Sequence, residues 1–242
     1  MSIRYPVVLL DLDKTLFDFA SSERLSFDAA MTAVGIDPAT TFDRYSVING
    51  TVWKRVEQGD LSPAEAGHER MVTFLAAIER DDVDPAALSN AYQVGLGDHG
   101  ELFDGAAEVL DALADVAELA LVTNGIAEVQ RAKITRLGLA QWFDAISISG
   151  ELGVAKPDPA IFDHALSLCT STTLTSRRSA LMVGDSIDSD IRGAARAGLS
   201  SCWLRLDAAA VAPGDVAIDH QIDQLKELTP IVTNTQSGKN ET

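Results

Sequence analysis

VVLLDLDKTLFD, Val7–Asp18, is the stretch on which the fold turns. Its apolar run Val7–Leu10 stops at Asp11, a second carboxylate follows at Asp13, and Thr15 stands close behind. A short apolar run bounded by polar residues predicts a buried strand covered on both faces. Two acids held together at the carboxyl end of such a strand raise each other's pKa unless a cation or a donor network stabilises them. The pattern therefore predicts a metal ion at this point, with one carboxylate left free to react.

Working outward, further apolar runs end in polar residues of the same kind. Leu119–Val122 ends at Thr123-Asn124-Gly125, Ala145–Ile148 follows, and Ala180–Val183 ends at Gly184-Asp185. Ser201–Leu204 and Val216–Ile218 are the last predicted strands. Helical stripes lie between them, such as Ala106, Val109, Leu110 and Leu113, and a later one of Phe162, Ala165, Leu166 and Cys169 behind Asp158-Pro159. Alternating strands and helices predict an α/β fold, a Rossmann-like parallel sheet flanked by helices on both faces. In such sheets ligands bind beyond the carboxyl ends of the strands, where the strand order reverses. Asp11, Asp13, Thr123, Asn124, Asp185 and Asp190 are therefore expected to meet in one site, with Lys156 reaching it from the loop VAKPDP. Carboxylates, a hydroxyl, an amide and one lysine suit a hard divalent cation and a phosphate.

Between the first two strands the period changes. Phe27, Ala30, Met31 and Val34 form a helical stripe stopped by Gly35, and a second helix is expected within Phe42–Glu57. Ser62-Pro63-Ala64-Glu65 is a capping box with proline at the first helical position, followed by the stripe Met71, Phe74, Leu75, Ile78. A fourth helix is expected from Asp84-Pro85. Residues 17–100 thus read as a small helical cap inserted into a core made of 1–16 and 101–229. Phe17–Ser21 and GLGDHG, Gly95–Gly100, are its expected boundaries and hinges. Residues 230–242 are polar and unpatterned and read as a disordered tail.

Composition narrows the partners. With 36 acidic and 19 basic residues, the formal charge of −17 repels nucleic-acid backbone and anionic membrane surfaces. A small phosphorylated metabolite remains compatible where a cation and a local base offset the field. No polymeric nucleic acid and no membrane are expected, with a monomer or homodimer as the acting unit. Cys169 and Cys202 are too few for a disulfide framework and read as core residues. No long apolar segment occurs, and a cytoplasmic location is expected.

In order, DLDKT, Thr123, Lys156 and GDSIDSD (Gly184–Asp190) resemble the four motifs of the haloacid dehalogenase-like hydrolases. The likeness spans roughly 5–228, and the helical insertion is similar to that family's small helical cap. VINGTVWKRVEQGDLS and GDSIDSDIRGAARAGLSSCWL are most similar to the pyrimidine 5′-nucleotidase branch. The resemblance implies a Mg²⁺-dependent phosphatase with Asp11 as nucleophile and metal ligand, forming an aspartyl-phosphate. It implies that Asp13 is the general acid–base and binds the metal through its backbone carbonyl, while Asp185 and Asp190 complete the metal site. Thr123, the Asn124 amide and Lys156 would hold the phosphoryl oxygens. A nucleoside 5′-monophosphate is the expected substrate.

Alternative readings within the fold are a sugar or glycolate phosphatase, a phosphomutase, and a haloacid dehalogenase, against which Asp13 argues. A non-catalytic regulator finds no support in a chain that has every motif residue. Thr15 is expected to tie down the loop after the strand, Ser186 to cap or support a metal ligand, and Asp188 to be a solvated helix-start acid. In the insertion, Asn49 and Trp53 lie four apart on one predicted helix and are expected to face the cleft as substrate contacts. A tryptophan on such a helix also packs well as core.

Overall fold

The computed structural model describes residues 3–171 and 176–234. Six strands form one parallel sheet: β1 (Val7–Leu10), β2 (Glu118–Thr123), β3 (Ala145–Ile148), β4 (Ala180–Gly184), β5 (Ser200–Leu204) and β6 (His220–Ile222), in the order β3-β2-β1-β4-β5-β6. β1 is central, with Leu10 level with Leu121 on one side and Val183 on the other. The strand order reverses at β1. The loop carrying Asp11 and Asp13 therefore emerges between the loops after β2 and β4, as the topology rule requires.

The strands are buried on both faces because each face has its own helical layer. Val8 and Leu10 join a cluster with α5 (Ala106–Ala114), Ile134 of α6 (Ala127–Arg136) and α10 (Leu228–Val232). Val7 and Leu9 point the other way, onto α8 (Pro159–Leu168), which follows the one-turn α7 (Ser149–Leu152), and α9 (Arg192–Ala197). This is the two-residue alternation of a strand, and each fully buried Val or Leu contributes about 1.5–3 kcal/mol.

Two sequence expectations need correction here. The last strand is His220–Ile222, not Val216–Ile218. Pairing beside β5 puts Ile222 opposite Leu204 and into the core, 2% exposed, whereas Val216 and Ile218 stay half-buried in the preceding loop. The segment read as a disordered tail begins with the end of α10, whose Val232 is buried against the sheet's cluster and accepts a hydrogen bond from the Arg4 amide at 2.8 Å. The rest of that tail, 235–242, lies outside the described residues.

Four helices form the layer over the sheet edge: α1 (Phe19–Ala33), α2 (Pro38–Glu57), α3 (Pro63–Ala77) and α4 (Pro85–Asp98). Their starts follow from local chemistry. Asp37 and Asp84 each accept from the amide two residues on, at 3.0 Å, with proline at the first helical position. Ser62 and Glu65 complete the predicted capping box. The Asp37-Pro38 signal starts α2 four residues before the expected Phe42. An aromatic cluster of Phe27, Tyr45, Phe74 and Tyr92 fills the layer's interior, and Ile126 and Val129 from the sheet domain complete it.

The chain leaves and re-enters the sheet side by side. Asp18 N donates to Glu101 O at 3.0 Å, and Phe103 N donates to Leu16 O at 2.8 Å. The expected boundary GLGDHG is helical for its first four residues, since α4 runs to Asp98. A Cβ on Gly95 would lie 2.9 Å from the Ser26 Cβ, and one on Gly97 2.7 Å from the Ala132 Cβ. These glycines bring α4 close to α1 and α6. Among the described residues no helix is long and apolar enough to cross a membrane.

Candidate active site

The site is built where β1, β2 and β4 end. Directly after β1 the chain folds back: Lys14 has φ of 69°, its amide donates to Phe17 O at 2.8 Å, and Asp13 and Phe17 form an isolated bridge. The left-handed Lys14 costs roughly 1–2 kcal/mol and turns the chain within one residue of Asp13. Asp11 and Asp13 therefore stand at the mouth of the same loop with different surroundings.

Asp11 belongs to a buried acidic cluster. One carboxylate oxygen from each of Asp11, Asp185 and Asp190 lies within 4.8 Å of the others. Lys156 is 1% exposed, and its Nζ lies 2.5 Å from Asp11 Oδ1 and 2.7 Å from Asp190 Oδ1. The second contact is an ion pair without hydrogen-bond alignment, so Asp190 Oδ1 accepts no hydrogen bond. Asp190 Oδ2 accepts from the Ser186 amide at 3.0 Å. A Cβ on Gly184 would fall 2.1 Å from that oxygen, so only glycine admits the carboxylate. Thr15 ties two loops together, as expected: its Oγ1 donates to Asp11 Oδ2 at 3.3 Å and accepts from the Asp185 amide at 3.2 Å.

One ammonium cannot neutralise three carboxylates. Burial works against the Lys156 charge, yet Asp11 and Asp190 outweigh it and raise its pKa, keeping it protonated. Burial, together with Asp190 and Asp185, still pushes Asp11 up to about 8 against the pull of Lys156. Burial and Asp190 push Asp185 up to about 7. Such a cluster has an electrostatic need for a further cation. The clustered oxygens, with the free acceptor on Asp190 Oδ1, could hold such a cation. Carboxylate donors, with no thiolate or imidazole among the described residues that line the site, suit a hard divalent ion.

Asp13 has its own cation. Lys133, also 1% exposed, places Nζ 2.7 Å from Asp13 Oδ1 and over the rings of Phe17 and Phe19 at 4.8 and 5.1 Å. Gln130 Nε2 donates to Asp13 Oδ2 at 3.2 Å and to Thr123 Oγ1 at 2.6 Å. Neither Lys133 nor Gln130 is singled out by the sequence motifs. Their signal was polar residues at apolar positions of α6, one turn apart and flanked by buried Val129 and Ile134. Asn124 has an additional use. Its side chain donates to Lys156 O at 2.9 Å and accepts from Lys156 N at 2.8 Å, clamping the peptide that carries the lysine. Ser186 caps the turn that leads to Asp190, accepting from the Ser189 amide at 3.2 Å, and Asp188 is exposed and paired with Arg192.

A cavity of about 390 Å³ opens above these groups, between the sheet edge and the four-helix layer. Asn49 and Trp53 both line it, together with Glu23 and Arg70, which the sequence reading passed over. Trp53 also packs in part against the small cluster of Val52, Val56 and Ala66.

Residues 5–198 match the family profile described as haloacid dehalogenase-like hydrolase. The chain is 32% identical over 231 residues to the pyrimidine 5′-nucleotidase YjjG of Escherichia coli, covering 92% of this chain and 98% of the relative. It is 32% identical over 244 residues to a ribulose-1,5-bisphosphate 5-phosphatase of Halopiger xanaduensis, covering 93% and 98%. The magnesium-bound crystal structure of the YfnB hydrolase of Bacillus subtilis superposes with a TM-score of 0.84 at 27% identity, covering 95% of this chain and 99% of that one. With a profile that runs from the first strand through the helical layer to the end of α9, and with full-length relatives at this identity, the chain belongs to the haloacid dehalogenase-like hydrolases.

Proposed function

We propose that this hydrolase is a Mg²⁺-dependent phosphatase acting on a small phosphomonoester, with a pyrimidine nucleoside 5′-monophosphate as substrate. The observation that carries the reading is the division of the two acids after β1. Asp11 lies among Lys156, Asp185 and Asp190, and Asp13 lies against Lys133 and Gln130. The nucleotide assignment comes from similarity to the Escherichia coli nucleotidase and is the finer part of the proposal.

Asp11, Asp185 and Asp190 would hold the cation, with the Asp13 backbone carbonyl as a further ligand. When bound, it offsets the negative charge that otherwise repels a phosphate dianion. Asp11 attacks phosphorus with one carboxylate oxygen, the ester P–O bond breaks, and the leaving alkoxide takes a proton from Asp13. Water then gives a proton to Asp13 and attacks phosphorus. The bond to Asp11 breaks, releasing inorganic phosphate and restoring the carboxylate. Lys133 and Gln130 orient Asp13 and stabilise its charge after it has given up the proton. Lys156, Thr123 and the Asn124 amide face the transferring oxygens, with Lys156 held in register by the Asn124 side chain. The four-helix layer at 17–100 acts as a cap over the core.

Phenyl phosphate, dUMP, UMP and dTMP are expected to be hydrolysed with Mg²⁺, and EDTA is expected to abolish turnover. Asp11→Asn should lower kcat by about 10⁴-fold or more, since a nucleophile acts as part of a unit. Retained turnover in Asp11→Asn would end the covalent assignment. A higher kcat/KM for phosphoglycolate or ribulose bisphosphate than for the three nucleotides would end the nucleotide assignment alone.

A further inference from the structure

Among the polar side chains in the wall of the cavity, Glu23 from α1, Asn49 from α2 and Arg70 from α3 form one chain across three helices. Arg70 is the unusual member. It is 1% exposed, and only Nη1 is engaged, donating to Asn49 Oδ1 at 3.3 Å. Its Nε and Nη2 are buried without a hydrogen-bond partner, and among the described residues no carboxylate pairs with it. The Tyr92 ring, 4.6 Å from Cζ, covers the face of the guanidinium but cannot accept from its in-plane N–H groups. A buried guanidinium keeps its hydration or replaces it, and orphaned donors of this kind are rare in folded proteins. The free Nε–Nη2 side is also the geometry that receives a planar acceptor.

Two chemical classes would satisfy it, a second anionic group on the substrate or a neutral carbonyl. Glu23 decides between them. Its Oε1 accepts from Asn49 Nδ2 at 2.8 Å, so an acid stands at the far end of the same three-residue chain. Burial pushes the Glu23 pKa up, opposed by Lys14 and Arg70. A second anion drawn to Arg70 would meet that carboxylate, whereas a ring edge with a carbonyl beside an N–H uses both ends. Trp53 in the same wall offers an aromatic face to such a ring.

We propose that Arg70 is the specificity-determining residue. Its Nε–Nη2 edge receives a ring carbonyl of the leaving group, and Glu23 takes the neighbouring ring N–H, which selects a uracil- or thymine-type base over a second anion. The proposal rests on the phosphatase reading above, and the two are separable by experiment. Wild type and Arg70→Gln are compared, with Mg²⁺, on dUMP, on ribose 5-phosphate, which has no base, on phosphoglycolate and on phenyl phosphate. The ratio of kcat/KM for dUMP to that for ribose 5-phosphate is expected to fall about 10²-fold, the size of a lost charged hydrogen bond to a buried acceptor. An unchanged ratio, including an equal loss on both substrates, overturns the proposal. So does a larger loss on phosphoglycolate than on dUMP.

Should Arg70→Gln fail to fold, the wild-type protein decides. Uridine is expected to inhibit phenyl phosphate hydrolysis at least about tenfold more strongly than N3-methyluridine, which lacks the ring N–H and crowds Glu23. Equal inhibition by the two nucleosides overturns the proposal. Failure of the wild type to hydrolyse phenyl phosphate would instead remove the phosphatase reading itself.

Discussion

The sheet edge and the helical layer above it treat buried cations in opposite ways. At the sheet edge each buried lysine is matched: Lys156 by Asp11 and Asp190, Lys133 by Asp13. In the helical layer the buried Arg70 has, among the described residues, no ion-pair partner and two donor nitrogens without an acceptor. The lower region pairs its buried lysines internally and needs a further cation only for the carboxylate charge that Lys156 leaves over. On the proposed reading, the unfilled donors of the upper region are completed by the part of the substrate that differs from one ester to another, so that general chemistry and selectivity would be held on separate elements.

That division can be broken most sharply at Lys156. Lys156→Met leaves the buried carboxylates of Asp11 and Asp190 without their ammonium and should cost about 3–5 kcal/mol of stability, read by urea unfolding in EDTA. Turnover of phenyl phosphate should fall about 10²–10³-fold, as when one preorganised donor is lost from a charged transition state. An unaffected rate would show that the sheet edge does not work as a preassembled unit.

A second measurement sharpens the comparison through pH. Without a cation, Asp11 at about 8 and Asp185 at about 7 are protonated in the folded chain well above the ordinary carboxylate range near 3.9. The folded state then binds more protons than the unfolded state, so stability is lost as pH rises from about 4 towards 8. A divalent ion replaces those protons. The rise in Tm on adding Mg²⁺ should therefore be larger at pH 8 than at pH 6, by a few degrees in differential scanning calorimetry. A pH-independent rise would place the ion elsewhere.

The smallest effect belongs to the helical layer's scaffold. Gly97→Ala improves local helix propensity by roughly 1 kcal/mol, but its Cβ would sit 2.7 Å from the Ala132 Cβ at the seam with α6. Overpacking of this kind costs about 1–3 kcal/mol, so a net loss in thermal stability is expected while D11–K156 chemistry stays intact. A gain in Tm would mean that α4 and α6 can move apart freely.

Legibility in the sequence followed the same boundary. Strands β1 to β5 and the polar residues after them could be read because an apolar run that stops at a polar residue is a local signal. The capping box at Ser62 and the Asp-Pro starts were readable for the same reason. β6 was misplaced because the choice between Val216–Ile218 and His220–Ile222 depends on which residue meets β5, and both stretches contain apolar residues. GLGDHG was read as a boundary and hinge, but glycine has two uses, turning the chain and letting helices touch. Only the neighbours Ser26 and Ala132 distinguish them. Among the described residues Cys202 is fully buried and Cys169 only partly so, a distinction that composition does not carry.

The sequence by itself determined the family, the alternation of strands and helices, and the motif residues that gather at the sheet edge. These are written in short motifs whose meaning does not depend on distant partners. The tertiary structure alone decided which charge meets which. Lys133 reaches Asp13 across 120 positions, the Asn124 side chain turns to hold the Lys156 peptide, and Arg70 is left with unfilled donors. Periodicity tells which face of a helix is buried, but not what lies opposite it. That is fixed only when the strand order brings separate loops together and a second layer closes over them.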